Sequence, residues 1–200
     1  MTETFIVRNA RVLGGEPRDL VLRDGVIAEV VQGGSAVADG ATEIDATGLV
    51  ALPGLVDLHT HLREPGREDA ETVETGSRAA AAGGFTAVFA MANTDPVADT
   101  AGTVEQVLRL GQEAGYVDVQ PIGAVTVGLG GQQLAELGAM ATSAAQVRVF
   151  SDDGKCVHDA VIMRRALEYV KAFDGVIAQH AQEPRLTEDA QMNEGALSGV

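Results

Sequence analysis

The chain has 200 residues, enough for one large domain or two small ones, and its 46% apolar content is ample for a core. Aromatic residues make up only 4% and Trp is absent, so Ala, Val, Leu and Gly must fill that core. A net charge of −15 argues against nucleic acid, whose phosphates need Lys and Arg to release counterions, and against adsorption to an anionic membrane.

From the N-terminus, Met1-Thr2-Glu3-Thr4 is not the basic-then-apolar start of a signal peptide. No later apolar run approaches the ~20 residues of a membrane helix. Residues 3–50 read as short strands. Phe5-Ile6-Val7 opens one, and the apolar runs of 20–27 flank Asp24-Gly25, a strong hairpin signal. Glu43-Ile44-Asp45 is another strand before Gly48. Pro53-Gly54 then punctuates the chain. The expected division is a small β-domain at 1–53 and a larger α/β domain at 54–200.

From Leu55 onward strand and helix patterns alternate. Strands are expected at 55–59, 85–91, 117–127, 146–151 and 175–180. Helical periodicity covers 70–81, where Ala70, Val73, Ser77 and Ala80/Ala81 share a face behind the acids Glu68, Asp69 and Glu71. It recurs at 103–114, ended by Gly115, and at 159–173, stopped by Asp174-Gly175. Residues 132–145 are a weaker helix. Repeated βα units at this spacing mean a parallel sheet. It is either an open doubly wound sheet or a (β/α)8 TIM-type barrel. No Gly-x-Gly-x-x-Gly follows the first strand, which removes support for a dinucleotide-binding sheet. The barrel is favoured because His59, His61, Asn93, Asp152, Asp153 and His180 all fall at or just past strand C-termini, the catalytic face of a barrel. Eight units need ~250 residues and about five fit here, so the barrel is expected to be incomplete in this chain, with more following Val200.

His59 and His61 are an i, i+2 pair and point to one side of a strand. Three of the four histidines thus sit at strand ends. Imidazole nitrogen and carboxylate oxygen suit Zn²⁺ and similar ions, so His59, His61, His180 and one of Asp152 and Asp153 form the expected ligand set. The competing use of Asp152-Asp153-Gly154 is a turn or helix cap. His158, beside Asp159 at a helix start, reads as surface. The lone Cys156 excludes an internal disulfide and fits a reducing, cytoplasmic location. Arg63 can grip a substrate carboxylate at two points, or pair with Glu64, Glu68 or Asp69. Asn93 can face a ligand, or form an Asx-turn before Asp95-Pro96.

The segment His59-Thr60-His61-Leu62-Arg63-Glu64-Pro65-Gly66 resembles the signature of dihydroorotases, in the amidohydrolase superfamily. Glu74-Thr75-Gly76, Ala80 to Thr86, Met91-Ala92-Asn93-Thr94, Phe150 to Gly154 and Ala178-Gln179-His180 continue the likeness over essentially the whole chain. The resemblance implies a (β/α)8 metal-dependent hydrolase barrel beside a small β-domain. The implied activity is the reversible interconversion of N-carbamoyl-L-aspartate and L-dihydroorotate in pyrimidine synthesis, with one or two zinc ions. By resemblance to the long-chain bacterial type, His59 and His61 bind the more buried zinc. Asp153 is the carboxylate between two metals, and His180 is a ligand of the second. Arg63 and Asn93 hold the substrate carboxylate. The general-base aspartate and a further histidine ligand are placed beyond Val200. Related hydantoinases, dihydropyrimidinases and allantoinases, which use a carboxylated lysine where Asp153 stands, form the alternative reading. A non-catalytic partner of aspartate transcarbamoylase is another. The implied partners are a small-molecule substrate and either a second copy of the chain or aspartate transcarbamoylase.

Overall fold

The computed structural model describes residues 3–198, and the chain divides into two compact units, Met1–Pro53 and Gly54–Val200. In the first unit five strands form one sheet: β1 (Thr4–Val12), β2 (Pro17–Arg23), β3 (Val26–Gln32), β4 (Thr42–Asp45) and β5 (Val50–Ala51). The order is β3-β2-β1-β4, with β5 also on β1; β1 runs antiparallel to β2 and parallel to β4 and β5. The β2–β3 hairpin turns on Asp24 and Gly25, both at positive φ (52° and 77°), as a primed two-residue turn requires. Ile6, Val21 and Ala36 form its core.

A bulge in β1 between Val7 and Ala10 takes the Asn9 N–H out of the ladder. Asp19, fully buried, accepts it at 2.9 Å, and also accepts from the N–H groups of Gly34 and Ala36, each at 3.0 Å. Arg8 donates to the same carboxylate at 2.9 Å and to Glu43. Burial alone would raise the Asp19 carboxyl, but these donors outweigh it and hold it well below the usual carboxylate range.

The second unit alternates strand and helix: β6 (Leu55–Thr60), α1 (Val73–Ala82), β7 (Phe85–Ala90), α2 (Ala101–Ala114), β8 (Asp118–Pro121), α3 (Leu137–Thr142), β9 (Val149–Phe150), α4 (Ala160–Val170) and β10 (Val176–Ile177). β6-β7-β8 form one parallel sheet and β9-β10 another. A parallel bridge from Gly123 to Phe150 carries the ladder from the β8 segment to β9. The five strands therefore neighbour one another in chain order. A doubly wound sheet reverses its order at a switch point, and no reversal occurs among the described residues. The core between strands and helices is built mainly from Val, Ala, Leu and Met, with Phe150 its largest fully buried side chain.

Several boundaries differ from the sequence expectation, each for a local reason. The first helix starts at Val73 rather than residue 70, because Thr72 and Thr75 form a capping box. Glu68, Asp69 and Glu71 therefore precede the helix, and Glu74 is the acid in its first turn. The strand expected at 117–127 ends at Pro121. Beyond it, the N–H groups of Val125 and Thr126 are taken by the Asp152 carboxylate rather than by a neighbouring strand. The weak helix at 132–145 shrinks to Leu137–Thr142 because the backbone of Gln133 to Ala135 is paired with Val125 to Val127.

Replacing Asp19 by Ala strands the N–H groups of Asn9, Gly34 and the buried Ala36, together with the Arg8 guanidinium. Breaking such a buried charged network costs about 3–5 kcal/mol, so urea unfolding of the Asp19→Ala variant should show a loss of that order. Because the native carboxyl is depressed, its contribution is fully present above about pH 5 and declines as pH falls below that. The wild-type and variant stabilities should therefore converge in acid.

Candidate metal centre

The end of β6 and the two chain segments that follow β9 and β10 meet at one place. His59 lies within β6, His61 just past it, Asp153 three residues beyond β9 and His180 three residues beyond β10. His59 Nε2 and His61 Nε2 are 3.3 Å apart, and Asp153 Oδ2 lies 3.2 Å from the first and 3.4 Å from the second. The other carboxylate oxygen, Oδ1, lies 3.0 Å from His180 Nδ1. His59, His61 and Asp153 thus offer three ligand atoms to one point, and His180 reaches the opposite oxygen of the same carboxylate.

The triangle fits a divalent ion. Zinc–ligand bonds of 2.0–2.1 Å in a tetrahedron imply ligand-to-ligand edges of about 3.3–3.4 Å, close to all three measured edges. Three protein atoms converge on one point, and a tetrahedral ion held there would have one position left for a further ligand or for water. Asp153 is buried, while His59 is exposed and His61 half-buried, so the cluster has a carboxylate floor and an accessible mouth.

Asp152 and Asp153 have different tasks. Asp152 is 1% exposed and turned inward, accepting from Val125 N at 2.8 Å, from Thr126 N at 3.0 Å and from the Thr126 hydroxyl. Asp153 faces the histidines. Sequence reasoning left open which of the two is the ligand; both follow the same apolar run, and only the alternation of side-chain direction separates them.

Around the cluster, the imidazoles have side-chain partners. His61 Nδ1 donates to Asn93 Oδ1 at 2.9 Å, and His180 Nε2 donates to Gln182 Oε1 at 3.1 Å. Gln182 and then Asp153 push the His180 imidazole above its usual pKa. Asn93 therefore does not use its oxygen for an Asx-turn. Gln182 was not singled out from sequence, where an isolated glutamine in a loop carries no signal.

Arg63 is exposed, with a left-handed φ of 60°. Among the described residues it forms no ion pair, because its three acidic neighbours are engaged elsewhere. Glu64 accepts from Val73 N at the start of α1, Glu68 accepts from Gly66 N, and Asp69 lies 3.9 Å from Arg67. The loop after β6 packs on the loop after β7: Asp95 N donates to Pro65 O at 3.0 Å. Gly66, at φ 102°, lies so close that a Cβ would sit 2.3 Å from Asp95 O. Only glycine lets the Arg63 loop and the Asn93 loop approach this far. His158 is exposed, as expected, and shares with His180, Gln182 and Cys156 the wall of a cavity of about 360 Å³. Lys155 is exposed and lines the same cavity.

Two substitutions separate the roles of the paired aspartates. Asp152→Ala leaves three buried donors unsatisfied at about 1–3 kcal/mol each, so thermal unfolding should occur well below the wild-type temperature. Asp153→Ala should keep the fold and lose divalent-metal affinity by more than the roughly 10–100-fold that an outer partner contributes, as read by metal analysis after dialysis.

Comparison with known proteins places this geometry. A family model described as Dihydro-orotase-like matches residues 48–199. A dihydroorotase of Streptomyces coelicolor is 76% identical over 99% of this chain and 46% of its own length. A dihydroorotase of Mycobacterium tuberculosis is 59% identical over 98% of this chain and 45% of its own. The chain thus spans a little under half the length of these relatives. The solved structure of an L-hydantoinase (dihydropyrimidinase) from Arthrobacter aurescens superposes with a TM-score of 0.72 at 23% identity, over 88% of this chain and 40% of that one. At that identity the likeness is one of fold, of which this chain forms part. With a family model matching most of the chain and the family's histidine pair meeting a carboxylate in space, the chain belongs to the dihydro-orotase-like family.

Proposed function

We propose that the protein is a zinc-dependent dihydroorotase, interconverting N-carbamoyl-L-aspartate and L-dihydroorotate in pyrimidine synthesis, in the cytoplasm. Residues 54–200 are read as the first five βα units of a (β/α)8 barrel, and residues 1–53 as part of a small β-domain. The free edge of β6, with Leu55, Val56 and Leu58 exposed, supports a further barrel strand beside it.

In this reading His59, His61, Asp153 and His180 would hold one or two zinc ions. Zinc there would supply a Lewis acid for the ring carbonyl and lower the pKa of a water from ~15.7 toward ~7. Arg63 pairs with the substrate carboxylate through its planar fork. The Asn93 amide nitrogen, which donates to no acceptor among the described residues, adds a second donor. By the resemblance, the general base is an aspartate beyond Val200, so the full polypeptide is the unit of catalysis. A second copy of the chain, or aspartate transcarbamoylase, is the proposed partner.

The observation that carries the substrate class is Arg63, a cation two residues past His61 whose acidic neighbours are all engaged. Hydantoin, dihydrouracil and allantoin have no carboxylate to meet it; dihydroorotate has one. A non-catalytic scaffold would have no use for the convergence of His59, His61 and His180 on Asp153. The zinc-loaded full polypeptide should turn over dihydroorotate far faster than the three neutral cyclic amides. Arg63→Ala should cut kcat/KM for dihydroorotate about 10–150-fold, the loss of a charge-assisted bond worth about 1.5–3 kcal/mol. It should leave any trace hydantoin turnover unchanged. Comparable rates on the neutral rings would overturn the reading.

A further inference from the structure

We propose that two side-chain amides, Asn93 and Gln182, are positioning residues of the metal centre, each turning one imidazole so that its lone pair faces Asp153. The inference rests on the metal-centre reading above and adds to it the devices that set the histidine tautomers.

An amide oxygen can only accept. Asn93 Oδ1, 2.9 Å from His61 Nδ1, therefore places the His61 proton on Nδ1. Gln182 Oε1, 3.1 Å from His180 Nε2, places the His180 proton on Nε2. The two rings are held in opposite tautomers. One intrinsic preference of imidazole cannot produce both, but two separately placed acceptors can. The nitrogens left with lone pairs are His61 Nε2 and His180 Nδ1. These are the atoms aimed at Asp153, 3.4 Å from Oδ2 and 3.0 Å from Oδ1. A lone pair facing a carboxylate oxygen at such distances is repulsive unless a cation lies between them. The amides thus convert a possible hydrogen-bonded knot of His and Asp into a pair of cation-demanding gaps, one on each oxygen of Asp153.

The choice of amide over carboxylate has a chemical consequence. Outer partners of metal-bound imidazoles are often carboxylates, which fix the tautomer and also raise ligand basicity. Here Asp153 already brings negative charge to the centre. Neutral acceptors orient the rings without adding more, which preserves the electron-withdrawing power of the bound ion. Asn93 has a further part, because its oxygen holds His61 while its nitrogen has no acceptor among the described residues. One side chain then links the orientation of a metal ligand to the group that receives the substrate.

The test measures zinc affinity by competition with a chromophoric chelator, and the visible spectrum of the cobalt(II) form, in the purified full polypeptide. Asn93→Leu and Gln182→Met remove the acceptors; Asn93→Asp and Gln182→Glu retain them. Circular dichroism monitors the fold, and Gln182, being exposed, can be replaced even where Asn93→Leu fails to fold. The apolar variants should bind zinc about 10–100-fold more weakly and shift the cobalt bands, while the carboxylate variants stay within about threefold of wild type or bind more tightly. Unchanged affinity and spectrum in the apolar variants would overturn the proposal, as would equal losses in the apolar and carboxylate variants. Failure of the wild type itself to take up zinc or cobalt would instead remove the metal-centre reading on which it stands.

Discussion

Three imidazole nitrogens crowd the two oxygens of one carboxylate, and the second unit is arranged around that concentration of electron pairs. Where such a nitrogen carries its lone pair toward the carboxylate, a distance of 3.0–3.4 Å is repulsive unless positive charge sits between them. The sheet must curl to create the contact at all. β6 and β9 are three strand spacings apart, about 14 Å in a flat sheet, and an aspartate and a histidine side chain cannot span that distance. The 3.2 Å approach of Asp153 to His59 is therefore a measure of sheet curvature. Curvature of this kind, with strands paired in chain order, is how a parallel sheet progresses toward a barrel.

The framework and the loops divide the work. Strands and helices are held by small apolar side chains, as a chain without Trp requires, and they set only where each loop begins. The loops then carry the unusual backbone. Arg63 is left-handed, Gly66 admits the Asp95 carbonyl, and Asp152 absorbs the N–H groups that the β8 segment leaves unpaired. Each of these costs local freedom, and each fixes the course of a loop that leads to or from the cluster. Backbone strain near a site is expected when the surrounding structure over-determines it.

Much of this was readable from residue order. An apolar run of five or six residues ending in His-x-His fixes both the strand and the face its imidazoles occupy, because side-chain alternation is a local rule. The apolar stripes of α2 and α4 and the end of α2 at Gly115 follow from equally local preferences, whereas α4 stops at Val170 and a 3-10 turn, Lys171–Phe173, carries the chain on to Asp174. Misplaced features depended on partners distant in sequence. Asp152 and Asp153 are indistinguishable until Val125 and Thr126 are seen to claim the first. The 117–127 run has strand composition to its end, yet at Val125 and Thr126 that same carboxylate takes the N–H groups a ladder would use. The start of α1 was misjudged for a different reason: acids at 68, 69 and 71 mimic a first turn, while the Thr72–Thr75 reciprocal cap, a weaker compositional signal, sets the true start.

The charge distribution bears on how such a site could take an anion. The chain carries −15 overall, so its far field repels a carboxylate-bearing molecule. Attraction must therefore be local, within the ~8 Å over which charges act at physiological ionic strength. Under the dihydroorotase reading, Arg63, two residues past His61, would supply that attraction, since Glu64 and Glu68 accept from backbone N–H groups and Asp69 lies near Arg67.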